Sequence, residues 1–192
     1  MSRLSELSAP CSLTTTNRPV SRPEMATAPL KSPASVAGRD GVYVAAVPLR
    51  ATKGPAQLLA SAAYSLKLWE FQHFMVIVRT SSPPSDSQAC VFDFQPEDPE
   101  NVYVALAALS GRSIPGTVLK RKLTKLPKER CWFVGSCGEH ALDVACKFSN
   151  LWETDLKIGH HDCRDYANGL VEHLTGEKDV LKRLRRSFVD LD

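Results

Sequence analysis

The clearest periodicity in the chain begins at Cys163. Cys163, Tyr166, Ala167, Leu170, Val171 and Leu174 fall at helical spacing, while Arg164, Asp165, Asn168, Glu172 and His173 occupy the complementary face. This spacing predicts an amphipathic helix over 163–174 with Gly176 as its stop. Upstream, Leu59, Ala62, Ala63 and Leu66 form a similar stripe after Pro55, which predicts an earlier helix. The run Phe74–Arg79 is short, apolar and β-branched, so it predicts a buried strand. Thr80 to Gln88 carries Ser-Ser-Pro-Pro-Ser-Asp-Ser and predicts a turn, with Ala89–Phe94 as the partner strand of a hairpin.

Asp98-Pro99-Glu100 resembles an N-cap with Pro in the first helical position. The short helix it opens is expected to bury Val102, Ala105, Leu106 and Leu109 and to end at Gly111. Residues 116–123 and 130–135 predict further strands. Ser136-Cys137-Gly138-Glu139 has the spacing of a capping box, opening a helix that buries Leu142, Ala145, Phe148 and Trp152. Mixed strands and helices in this order predict an α+β domain over 41–176. Residues 177–192 follow as a basic amphipathic helix, with Val180, Leu181, Leu184 and Phe188 set among Lys182, Arg183, Arg185 and Arg186. Such a helix either packs on the domain or lies peripherally on an anionic membrane surface.

Composition separates the first 40 residues from the rest. They are rich in Ser, Thr, Pro and Ala, follow no period, and carry Arg3, Arg18, Arg22, Lys31 and Arg39 against Glu6, Glu24 and Asp40. That composition is expected to be disordered, and it matches an organelle transit peptide as well as a tail with no address. The plastid is the favoured destination; mitochondrion and cytoplasm remain open, as does a start at Met25. A net charge of +3 gives no reason to expect nucleic acid, and no run of 18 apolar residues predicts a transmembrane segment. Six cysteines lack the dense spacing of a disulfide scaffold, and Cys90 and Cys146 are expected to be buried thiols.

The inward position of Cys163 in the first turn of its helix carries the candidate chemistry. A thiol attacks as thiolate, and the unpaired amides and positive dipole end of a helix start favour that charge. The same amides can hold an oxyanion. A base is needed, and His73, opening the Phe74–Arg79 strand, is the candidate; His160 and His161 are sequence neighbours that point elsewhere. Taken singly, an inward cysteine reads as core and a histidine at a strand start as surface. No pair of segments offers zinc-ligand spacing, no glycine-rich phosphate loop is present, and no Gly-x-Ser-x-Gly elbow occurs. The residues therefore point to no metal and no cofactor.

Three segments taken together resemble the circularly permuted papain-like proteins of the NlpC/P60-like superfamily, in the branch of lecithin:retinol acyltransferase-like (LRAT-like) proteins. They are His73-Phe-Met-Val-Ile-Val, Val91-Phe-Asp-Phe-Gln-Pro96, and Gly159-His-His-Asp-Cys163-Arg-Asp-Tyr-Ala-Asn168. The resemblance covers about residues 70–176. It implies Cys163 as nucleophile, His73 as general base and Asp93 as the residue that orients the imidazole. It further implies a thiol hydrolase or acyltransferase acting on a small acyl, lipid or peptide substrate. Asp93 stands where many such proteins have a second His, and Asp162 where they commonly have Asn. A carboxylate beside the thiol opposes thiolate formation unless it caps the helix and turns away. These departures leave a catalytically silent binding or structural module as the alternative.

Overall fold

The structure is a computed structural model that describes residues 38–49, 72–81, 89–138 and 140–189, the side chains of 187–189 excepted. All belong to one compact unit, Ser35–Asp192. The helix expected after Pro55 and the N-terminal 37 residues lie outside the described residues.

The architecture is α+β. Six strands form an antiparallel sheet in the order β5-β1-β2-β3-β4-β6, and four helices are described. The strands are β1 (Asp40–Pro48), β2 (Gln72–Arg79), β3 (Ala89–Pro96), β4 (Ile114–Leu123), β5 (Cys131–Cys137) and β6 (Asp155–Leu156). The helices are α1 (Val102–Leu109), α2 (Ala141–Leu151), α3 (Cys163–Thr175) and α4 (Val180–Val189).

Alternation along the strands sends side chains to two cores. Val42, Val44, Ala46, Phe74, Val76, Val78, Phe92 and Phe94 pack with α3 and α4. Ala45, Met75, Ile77, Ala89 and Val91 form a second cluster. Buried on both faces, β2 reads as a continuous apolar run rather than an alternating one.

Helix α3 is the stave of the main core. All six residues of its predicted stripe are buried, four of them completely: Tyr166, Ala167, Leu170 and Val171. Burying a side chain such as Leu170 contributes about 1.5–3 kcal/mol. Gly176 adopts φ 78°, the left-handed C-terminal conformation that favours glycine. Tyr166 is fixed at its hydroxyl. Ser149 Oγ donates to Ala145 O at 2.6 Å, so the 2.8 Å contact between Ser149 and Tyr166 is donated by the phenol.

Several expectations need correction. The chain forms β1 where no strand was expected, although Val42 and Val44 alternate with Tyr43 and Ala45. The N-cap of α1 is Asn101, whose side chain accepts from Tyr103 N, and Asp98 sits in the turn before it. Val102, Leu106 and Leu109 of α1 are exposed rather than inside, and Ala108 is its buried residue. The small residues Val104, Ala107 and Ala108 allow the close approach, so the helix turns its larger side chains outward.

Ser136 and Cys137 belong to β5 rather than to a capping box, and α2 begins later, at Ala141. Its preceding residue His140 adopts φ 75° and makes no side-chain cap. The cap comes from a remote position: buried Asp40 accepts from Ala141 N at 3.2 Å, and also from Ser81 N at 2.9 Å and Ser81 Oγ at 3.2 Å. Replacing Asp40 by alanine removes all three bonds and a cap, so we expect a loss of about 2 kcal/mol, read as a lower urea midpoint at unchanged slope.

Helix α4 places Val180, Leu181 and Leu184 in the main core and is tied to α3 by Leu181 N donating to Asn168 Oδ1 at 3.1 Å. The described part of its apolar face is therefore occupied. Among the described residues no helix is long and apolar enough to cross a membrane. The described cysteines are free; Cys90 and Cys146 are half-buried rather than buried.

Candidate active site

The sheet is not uniformly zipped. Strand β2 pairs with β1 along its whole length, from Pro48↔Gln72 to Gly41↔Arg79. Strand β3 pairs with β4 over its whole length too. Between β2 and β3, however, the ladder runs only from Val76↔Phe92 to Arg79↔Ala89. The two central strands thus part company towards Gln72 and Pro96, and His73 and Asp93 lie on this unzipped stretch.

Here the three residues singled out from sequence come together. His73 Nε2 hydrogen-bonds Asp93 Oδ1, and the Cys163 sulfur is close enough to the ring to act on its charge. His73, Asp93 and Cys163 are all buried, Asp93 to 1% exposure. Burial alone would disfavour charge on His73. The opposing pull of the Cys163 sulfur and the Asp93 carboxylate outweighs it, and the imidazole is pushed up to about 10. His73 is thus a cation at neutral pH, held between two anionic or anion-forming groups.

The start of α3 is built by local chemistry. Asp162 is its N-cap: Oδ1 accepts from Arg164 N at 2.8 Å and Oδ2 from Gly159 N at 2.8 Å. Asp165 returns the bond, accepting from Asp162 N at 3.0 Å, which completes a capping box. The carboxylate that sequence placed beside the thiol is therefore the helix cap, with both oxygens bonded to backbone amides.

The remaining histidines are placed apart from this chemistry. His161 stacks on Trp152 with ring centroids 4.7 Å apart, and its Nδ1 meets Asp155 O at 2.7 Å. His160 and His140 are exposed, and the His173 ring lies 5.4 Å from Phe148. Among the described residues no group of three or more His, Cys, Asp or Glu side chains is arranged to hold a metal ion.

One residue of the cluster escaped sequence reasoning. Arg121 Nη2 donates to Asp93 Oδ2 at 2.7 Å, so the carboxylate is shared between an imidazole and a guanidinium. In sequence Lys120-Arg121-Lys122 reads as a solvated strand edge. The signal that finds Arg121 is the register: Asp93 pairs with Leu119 and Val91 with Arg121, which sets Arg121 one diagonal step from Asp93 on the same face.

No family model, no curated protein and no solved structure matches the chain.

Proposed function

We propose that the protein is a thiol enzyme, a hydrolase or acyltransferase of circularly permuted papain-like, LRAT-like type, acting through Cys163, His73 and Asp93. The observation that carries this reading is the meeting of His73 with both Cys163 and Asp93 at the unzipped end of β2 and β3. A buried imidazole held by a carboxylate on one side and a helix-start thiol on the other is the arrangement nucleophilic catalysis requires.

In the proposed reaction the Cys163 sulfur, as thiolate, attacks the carbonyl carbon of an ester, thioester or amide. The carbonyl oxygen takes the negative charge and accepts from the Cys163 amide. As the tetrahedral adduct collapses, the carbon–heteroatom bond breaks and His73 gives its proton to the leaving group. A thioester to Cys163 remains. Water or an amine then attacks it, His73 removes the nucleophile's proton, and the thiol group is released. Asp93 holds one tautomer and one ring orientation throughout. The Ser/Thr-rich N-terminal residues, on this reading, address the enzyme to the plastid.

Intact-protein mass spectrometry after acid quench tests the proposal. With p-nitrophenyl acyl esters, wild type is expected to gain one acyl mass, localised to Cys163, together with a burst of nitrophenol. Cys163→Ala is expected to show neither. Absence of any acyl adduct on wild type across ester, thioester and amide probes would leave the alternative, a silent binding or structural member of the same fold.

A further inference from the structure

We propose that Arg121 is a positioning residue for the base: it holds the second oxygen of Asp93, so that the carboxylate keeps orienting His73 at every stage of proton transfer while pulling on its proton less strongly. This rests on the thiol-enzyme reading above.

Asp93 is almost completely buried, and its two oxygens have different partners, Oδ1 with His73 and Oδ2 with Arg121 at 2.7 Å. The two partners behave differently over a catalytic cycle. His73 must lose its proton to the leaving group, and at that moment Asp93 loses a cationic neighbour. A buried carboxylate without a counter-charge is costly and seeks another arrangement. Arg121 carries a guanidinium that stays charged throughout the working range, so it supplies a counter-charge that the reaction does not remove.

Its side chain is 42% exposed, and it therefore offers charge from the solvent side without closing the site. Charge sharing has a second effect. A carboxylate serving His73 alone would bind the imidazolium proton more tightly and delay its release. The charged or titratable groups around the ring are Asp93 on β3, Cys163 at the start of α3 and, through Asp93, Arg121 on β4. The Asp162 carboxylate is occupied by the amides of Gly159 and Arg164.

The test compares wild type, Arg121→Met, Arg121→Lys and His73→Ala. Four measurements are made: the NMR titration of the His73 Cε1–H, omitted for His73→Ala, the pH profile of Cys163 alkylation by iodoacetamide, acyl-ester turnover and the urea midpoint. In Arg121→Met the His73 titration is expected to move to higher pH by about one unit, the alkylation profile to move with it, and acyl-ester turnover to fall about tenfold. Arg121→Lys should restore most of the titration but less of the turnover, because a point charge lacks the planar fork. A purely structural role for Arg121 would lower the urea midpoint and leave the titration in place.

If Arg121→Met titrates and alkylates as wild type does, the inference is overturned while the enzyme reading stands. If wild-type alkylation is indifferent to His73→Ala, both fall together.

Discussion

His73→Ala is expected to slow alkylation of Cys163 about a hundredfold at pH 6.5, the scale on which a positioned acid–base partner acts. In wild type the imidazolium stands beside the sulfur, because the ring keeps its proton up to about pH 10. Below that pH the ring can therefore stand as counter-charge to a forming thiolate, and wild type should react faster than the variant. Without the ring, alkylation should climb steadily with pH, as it does for a free thiol. Wild type and variant then converge near pH 10. Stability carries the same signature. The folded chain holds the His73 proton to about pH 10 and the unfolded chain to 6.5. This contribution is thus complete below pH 6.5 and is lost as pH rises through about 10. Urea midpoints for wild type should fall across that window, and His73→Ala should fall less.

Asp93→Ala should bring the largest loss of stability, about 3–5 kcal/mol. It removes a carboxylate of 1% exposure and leaves two cationic partners without it, His73 in the buried site and Arg121 at its edge. Asp93→Asn separates packing from charge. It keeps the volume and one acceptor oxygen, so the fold should recover much of the loss. The Cys163 reactivity should not recover, since a neutral amide stabilises imidazolium far less than a carboxylate. Equal reactivity in Asp93→Asn and wild type would remove Asp93 from the proposed machinery. Urea denaturation and iodoacetamide kinetics on the same three proteins decide both points.

Helix α3 was legible in sequence because its period, its cap and its glycine stop all agree, and tertiary packing asks nothing different of it. The start of α2 was not legible. The residue that caps it, Asp40, lies in β1 far upstream, and no local motif records a cap delivered across the sheet. Helix α1 misled for a related reason. Its apolar residues surround it nearly completely, so periodicity could not say which side faces in, and small residues won the contact with the sheet. Strand β1 was missed because its short side chains give a weak alternation beside the stronger run of β2.

The candidate site divides the same way. Cys163 and His73 were found as a helix start and a strand start, and Asp93 through the resemblance carried by its strand segment. Arg121 depends on strand register, which β4 leaves unstated because Lys120, Arg121 and Lys122 are exposed in succession, on both faces of the strand.

The order in which the chain is made gives the position of Cys163 a further meaning. Synthesis proceeds from the N-terminus, and His73 and Asp93 leave the ribosome with their strands before Cys163 and α3 do. The thiol opens a main-core helix made late in the chain, so its approach to the imidazole is itself a long-range contact. Until α3 has docked, Cys163 is one ordinary thiol among several. On the proposed thiol-enzyme reading, nascent and misfolded chains are thereby kept inert, and reactivity becomes a property that only a finished molecule displays.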